Sequence, residues 1–223
     1  SVGGIARIVK RREASFKNES LSHEIMSIKA FNRWDVEPVS ISDPGIQPYI
    51  SLEPRLVPKS GARYAGQKFH KSNTFIIERF INKIMVAGHK GKSHTISSGH
   101  NTGKATKAYD IMERTLERIE EKTNTNPITV VVYAIENAAP REEVISIEYG
   151  GARYPKAVEC APQRRIDLAL RYMTQAGMQK SFRTKTPLEN ALADEVIAAY
   201  QSSTDSAAIS RKLELERQAD ASR

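Results

Sequence analysis

Val144-Ile145-Ser146-Ile147-Glu148-Tyr149-Gly150-Gly151-Ala152-Arg153-Tyr154-Pro155-Lys156-Ala157-Val158-Glu159 alternates apolar and polar residues, pauses at two glycines and returns. Alternation with a period of two marks a β-strand, and Gly-Gly between two such runs supplies the positive φ angles that a two-residue turn needs. The stretch predicts a β-hairpin at about residues 142–160. Pro155 removes a ladder donor from the return strand, so the ribbon does not suit the middle of a larger sheet and is expected to project.

Helical patterns surround it. Downstream, Pro162 opens a helix to about Gln179 with Ile166, Ala169, Leu170 and Met173 inward. Thr186-Pro187-Leu188-Glu189 has the form of a capping box with proline at the first helical position, opening a helix to about Tyr200. Asp205 is placed to cap a last helix through Ala219, whose sparse apolar set of Ile209, Leu213 and Leu215 suggests weak docking. Upstream, Ile128 to Ala139 fits both a strand, by its β-branched run, and a helix, by its spacing. Asn126-Pro127 before it and Pro140 after it favour the helix. Lys104 to Lys122 is amphipathic, with Ala105, Ala108, Met112, Leu116 and Ile119 inward, and Phe75, Ile76, Phe80, Ile84 and Ala87 recur at helical spacing between a Ser72 cap and Gly88. The fold class is therefore mainly α, with a projecting β-hairpin. Residues 1–69 hold Pro38, Pro44, Pro48, Pro54 and Pro58 and sustain no period. They read as an extended N-terminal arm separable from a helical domain at 70–223.

The 223 residues carry 34 Lys+Arg against 26 Asp+Glu, a formal charge of +8, which points to an acidic partner. The basicity is local. Lys71 to Lys107 holds seven basic residues and only Glu78 as an acid, and Tyr149 to Lys185 holds eight basic and two acidic residues, whereas the last 38 residues are net acidic. One cysteine, Cys160, excludes an internal disulfide framework, and no stretch approaches the roughly 20 apolar residues of a membrane helix. A reducing, cytosolic setting is the expectation. His70, His89, His94 and His100 lack Cys or paired carboxylates at ligand spacing, which favours a phosphate-facing loop over a metal site. Gly99-His100-Asn101-Thr102-Gly103-Lys104-Ala105-Thr106 has three residues rather than four between its glycines, and Ala after the Lys, so it is not a P-loop. No nucleophile, base and orienter stand at a sharp turn, and no short glycine turn joins two helices at the charged site, which argues against a hydrolase and a helix-turn-helix regulator.

Arg79 and Lys83, four apart with Asn82 beside them, share a helix face and repel unless an anion lies across them. Lys90, Lys92, Lys104 and Lys107 follow. Arg153, Tyr154 and Lys156 put an aromatic ring beside two cations past the hairpin tip, a pattern of RNA-reading surfaces, although a structural tyrosine is the competing account. Arg164 and Arg165 oppose the positive end of their helix, a local cost that a bound phosphate would offset, and Lys180, Arg183 and Lys185 follow that helix.

Phe80-Ile81-Asn82-Lys83-Ile84-Met85, Glu136-Asn137 with Pro140-Arg141, Tyr149-Gly150-Gly151 and Pro162-Gln163-Arg164-Arg165 occur in this order, at spacings that resemble the small-subunit ribosomal protein seven family. The resemblance covers residues 70–223 through Glu214-Leu215-Glu216-Arg217, and the arm from Asn32-Arg33-Trp34-Asp35 to Lys71 resembles the extension of the archaeal branch. It implies a six-helix bundle with a projecting hairpin, located in the cytoplasmic small subunit, without catalytic activity or cofactor. It further implies binding to the 3′ major domain of 16S ribosomal RNA, nucleation of head assembly, and a hairpin near exit-site tRNA and mRNA. Small-subunit proteins nine, thirteen and eleven would be its neighbours. The RNA contacts it implies are Arg79, Asn82, Lys83, the Lys90 to Lys107 loop, Arg141, Arg153 to Lys156, Arg164, Arg165, Arg211 and Lys212.

Overall fold

A computed structural model describes residues 28–88 and 100–223. Six helices occur among the described residues: α1 Ile76–Ile84, α2 Ala105–Thr123, α3 Pro127–Ala138, α4 Pro162–Ser181, α5 Leu188–Tyr200 and α6 Ala207–Asp220. Between α3 and α4 the strands β1 Glu142–Tyr149 and β2 Ala152–Glu159 pair antiparallel, with Tyr149 opposite Ala152 and Glu142 opposite Glu159. Gly150 and Gly151 take φ of 59° and 81°, the left-handed pair that a tight hairpin of this twist requires. Pro155 lies opposite Ser146 in a sheet of two strands only.

α3 is the centre of the bundle. Ile128, Val130, Val131, Val132, Ala134, Ile135 and Ala138 are all buried, so it is covered on nearly every side, and burial outweighs the modest helix propensity of its β-branched run. Its start is fixed as the sequence indicates, because Asn126 Oδ1 accepts from the Ile128 N–H at 3.0 Å and Pro127 opens the first turn. Around it Phe80 and Ile84 of α1, Met112 and Leu116 of α2, Ile166 and Leu170 of α4, and Leu192 and Val196 of α5 complete one core.

Three other helix starts differ from expectation. Ser72 lies in a 3-10 turn, His70–Asn73, and its hydroxyl accepts from Gln163 Nε2 at 3.0 Å. α1 begins at Ile76, whose N–H donates to Ser51 O at 3.1 Å while Phe75 is fully buried. Thr186 makes no capping bond to α5; Pro187 is its cap, and Glu189 pairs instead with Arg114 of α2 at 3.8 Å. Ser206, not Asp205, caps α6. That helix docks more firmly than its sparse apolar set suggests. Glu195 of α5, wholly buried, accepts from Ser206 Oγ at 2.8 Å and the Ala208 N–H at 3.1 Å, and pairs with Lys180 of α4 at 2.7 Å. A carboxylate at the α6 N-terminus thus ties three helices together with the sense of the helix dipole.

The arm from residue 28 has no separate core. Phe31, Trp34, Val36, Val39, Ile46 and Ile50 are buried in the core of the bundle. Trp34 Nε1 donates to Glu120 of α2 at 2.9 Å, and Phe31 packs on Tyr109 with ring centroids 4.9 Å apart. Asn126 Nδ2 donates to Asp35 O, Glu136 accepts from the Ser42 N–H, and Glu78 accepts from the Ser60 N–H. In packing this segment is continuous with the helices it crosses.

Candidate nucleic-acid interface

Two clusters of like charge, Arg79 with Lys83 and Arg164 with Arg165, were expected to face external anions, and the structure gives each a carboxylate from a distant segment. On α1, Arg79 is 4% exposed; its guanidinium donates to Tyr49 O at 2.8 Å and to Asp167 of α4 at 3.4 Å. Lys71 also pairs with Asp167, and Lys83 stands 4.0 Å from it. Burial pushes the Asp167 carboxyl up, but the Lys71 hydrogen bond and the charges of Lys83, Lys71 and Arg79 outweigh it and hold the group below its ordinary value. Lys83 is shifted down, first by burial and then, against the pull of Asp167, by Arg171, Lys71 and Arg79. Asn82 is half-buried and donates to the Tyr64 hydroxyl at 3.1 Å.

At the start of α4, Arg165 is buried, with Nη2 on Asp43 at 2.8 Å and Nε on Pro140 O at 3.2 Å. Arg164 is about half exposed and forks onto both oxygens of Glu143 at the hairpin base, each at 2.8 Å. These carboxylates meet the dipole cost that had been assigned to phosphate. Lys180 on Glu195 and Lys212, whose Nζ donates to Asn137 O at 2.8 Å, likewise bind helices together.

The remaining cations face outward. Arg153, Tyr154 and Lys156 are exposed, as are Lys104, Lys107, Arg141, Arg183, Lys185 and Arg211. Lys107 donates to His100 O, Arg141 N donates to Glu216, Arg183 lies 5.2 Å from the centre of the Phe182 ring, and Arg211 pairs with Glu214. Lys90 and Lys92, with His89 and His94, lie outside the described residues. The strand period separates the hairpin trio. Tyr154 and Lys156 share a face with Ile145, Ile147 and Tyr149, whereas Arg153 is on the other, opposite Glu148 at 3.5 Å. Tyr149 is 81% and Tyr154 56% exposed, and Ile145 and Ile147 are each more than 40% exposed, so this face offers rings and aliphatic surface beside a lysine.

One basic surface escaped sequence reasoning. Arg55, Lys59, Arg63 and His70 line an open groove of about 780 Å³ on the arm, with Tyr64 and Asn73. Their spacing in an aperiodic, proline-broken segment gave no signal; only the folded path of the arm brings them together.

A helical bundle with its charge pairs satisfied inside, and a ribbon and basic loops presented outward, defines a scaffold that offers surfaces rather than a catalytic cleft. The family described as ribosomal protein S7p/S5e matches residues 47–223. The small ribosomal subunit protein uS7 of Nanoarchaeum equitans is 52% identical over 198 residues, covering 89% of this chain and all of that protein. The proteins of the same name from Archaeoglobus fulgidus and Methanothrix thermoacetophila are each 44% identical, covering 86% and 88% of this chain and 94% and 100% of their own lengths. The chain belongs to the ribosomal protein S7p/S5e family, in its archaeal form. It is a structural component of the small ribosomal subunit, with its part in translation, and not an enzyme.

Proposed function

We propose that this protein binds the 3′ major domain of 16S ribosomal RNA, nucleates assembly of the head of the subunit, and holds its hairpin near exit-site tRNA and mRNA. The observation that carries this is the hairpin, whose aromatic and aliphatic face is exposed to a degree that a lone soluble domain seldom sustains. Residues 70–223 serve as the RNA-binding domain and residues 1–69 as its N-terminal arm. The outward cations Lys104, Lys107, Arg141, Arg153, Lys156, Arg164, Arg183, Lys185 and Arg211 meet RNA, together with Tyr154, Lys90 and Lys92. Arg79, Asn82, Lys83, Arg165, Lys180 and Lys212 support that surface from behind, by the internal partners described above. Small-subunit proteins nine, thirteen and eleven are its neighbours. The test is reconstitution of the full chain with the 3′ major domain RNA, followed by hydroxyl-radical cleavage from probes on the hairpin and on the loop after α4. Cleavage confined to discrete segments of that domain supports the proposal, and cleavage no different from that of unrelated RNA overturns it.

A further inference from the structure

Glu78 on α1 is 3% exposed. Its Oε1 accepts from both the backbone N–H and the hydroxyl of Ser60, which fastens the arm to the helix, but its Oε2 has no hydrogen-bond partner among the described residues. An orphaned buried carboxylate oxygen is costly. That oxygen belongs to a side chain lining a small, mainly apolar recess of about 160 Å³ between the arm, the length of α1 and the start of α2. Asn82, Met85, Ala105 and Tyr109 form its other walls.

The recess and the open basic groove share Lys59 and Gly61. The groove carries Arg55, Lys59, Arg63 and His70 and no acidic residue in its lining, so it suits an anionic strand. The recess is mainly apolar and has the Glu78 side chain in its wall, so it suits the base of a nucleotide whose phosphates lie in the groove.

We infer that the arm and α1 together form a binding site for one unpaired nucleotide of a single-stranded RNA segment, its phosphates on Lys59 and Arg63 and its base donating an exocyclic amino hydrogen to Glu78 Oε2. This rests on the RNA-binding function proposed above and adds a site and a base preference to it. A carboxylate only accepts hydrogen bonds. Adenine, cytosine and guanine each carry an amino group, whereas uracil offers only N3–H between two carbonyl oxygens that a carboxylate repels. The arm is thereby a reader of RNA as well as a strap on the bundle.

The experiment measures binding of the full chain to fluorescein-labelled rC, rA and rU hexamers by anisotropy at one salt concentration. Melting curves check that each variant is folded. The cytidine and adenosine hexamers should bind about tenfold tighter than the uridine hexamer, the value of a hydrogen bond to a charged acceptor. Glu78→Gln keeps an oxygen for Ser60 and turns a donor into the recess, so it should abolish the preference or reverse it toward uridine. Ala105→Leu fills the recess from the opposite wall and should abolish the preference without touching the carboxylate. It provides the answer if Glu78→Gln does not fold. Lys59→Ala with Arg63→Ala should weaken all three hexamers alike. Equal affinity for the three hexamers, or a preference that survives both Glu78→Gln and Ala105→Leu, overturns the inference. Binding of the 3′ major domain RNA, measured on the same samples, reports separately on the proposed function.

Discussion

Asp167 answers Lys71, Arg79 and Lys83 at once, and the pH dependence of folding should record it. Its folded pKa lies below the ordinary value of 3.8. The stability it contributes is therefore complete above the ordinary carboxylate range and is lost as pH falls through its lower folded pKa. Asp167→Asn should destabilise the protein at neutral pH by about 3 kcal/mol, because Arg79 is left buried with only a carbonyl partner. Urea unfolding of parent and variant between about pH 7 and 2 checks this, with the difference expected to shrink once the parent's carboxylate is protonated. A difference that stays constant to the acid limit would remove Asp167 from that role. Cys160 has a simpler environment, since burial first and Glu143 second push its thiol up to about 11. At neutral pH it is a small buried side chain rather than a nucleophile.

Among the elements, the hairpin joins two different environments. Its base is held by Arg164 on Glu143 and by Arg223 on Glu142, while its distal half is exposed on both faces. Substitutions at the two ends should separate accordingly. Arg153→Ala with Lys156→Ala should leave the melting transition within about 0.5 kcal/mol of the parent, as for surface sites away from packing. Affinity for isolated ribosomal RNA should fall little, with the effect appearing in the handling of exit-site tRNA and mRNA by assembled ribosomes. Arg164→Ala frees the base from α4, and it should weaken RNA binding more than the distal pair because a rigid helix start loses less entropy on engagement. Calorimetric melting and a filter-binding series measure both halves. Loss of RNA binding in the distal double variant, with Arg164→Ala silent, would contradict the division.

For the whole molecule, the arm decides whether the bundle is complete. Trp34, Val36, Ile46 and Ile50 are each 6% exposed or less, and burying a large apolar side chain is worth about 1.5–3 kcal/mol. Against a total stability of about 5–15 kcal/mol, deleting residues 28–64 should abolish cooperative unfolding, and Trp34→Ala alone should cost about 3–5 kcal/mol. Urea midpoints measure the point variant, and an intact transition in the deletion would show the arm to be dispensable. RNA affinity belongs to the same scale, because on the proposed function it would sum contacts from the outward basic surfaces. If about six to ten phosphates are met, the logarithm of affinity should fall with the logarithm of salt concentration with a slope magnitude of roughly 5 to 9. Titration at several potassium concentrations gives that slope, and a value near zero would exclude a phosphate-dominated interface.

What depended on neighbours in the chain was legible without coordinates. The Gly150-Gly151 turn, the alternating strands, the Asn126-Pro127 start of α3 and the helical stripes all rest on interactions within a few residues, where spacing in sequence is spacing in space. The fates of the cations were not local. Asp167 lies 88 residues from Arg79 and Asp43 lies 122 from Arg165, so sequence reasoning saw a positive cluster and placed its counter-charge outside the protein. Tertiary structure alone turned Arg79 and Arg165 inward, tied Lys180 and Lys212 to neighbouring helices, left the hairpin and loop cations outward, and gathered Arg55, Lys59, Arg63 and His70 into a groove. The physical reason is that a charge can enter a folded interior only opposite a partner, and that partner is brought by the path of the chain, which no local pattern encodes.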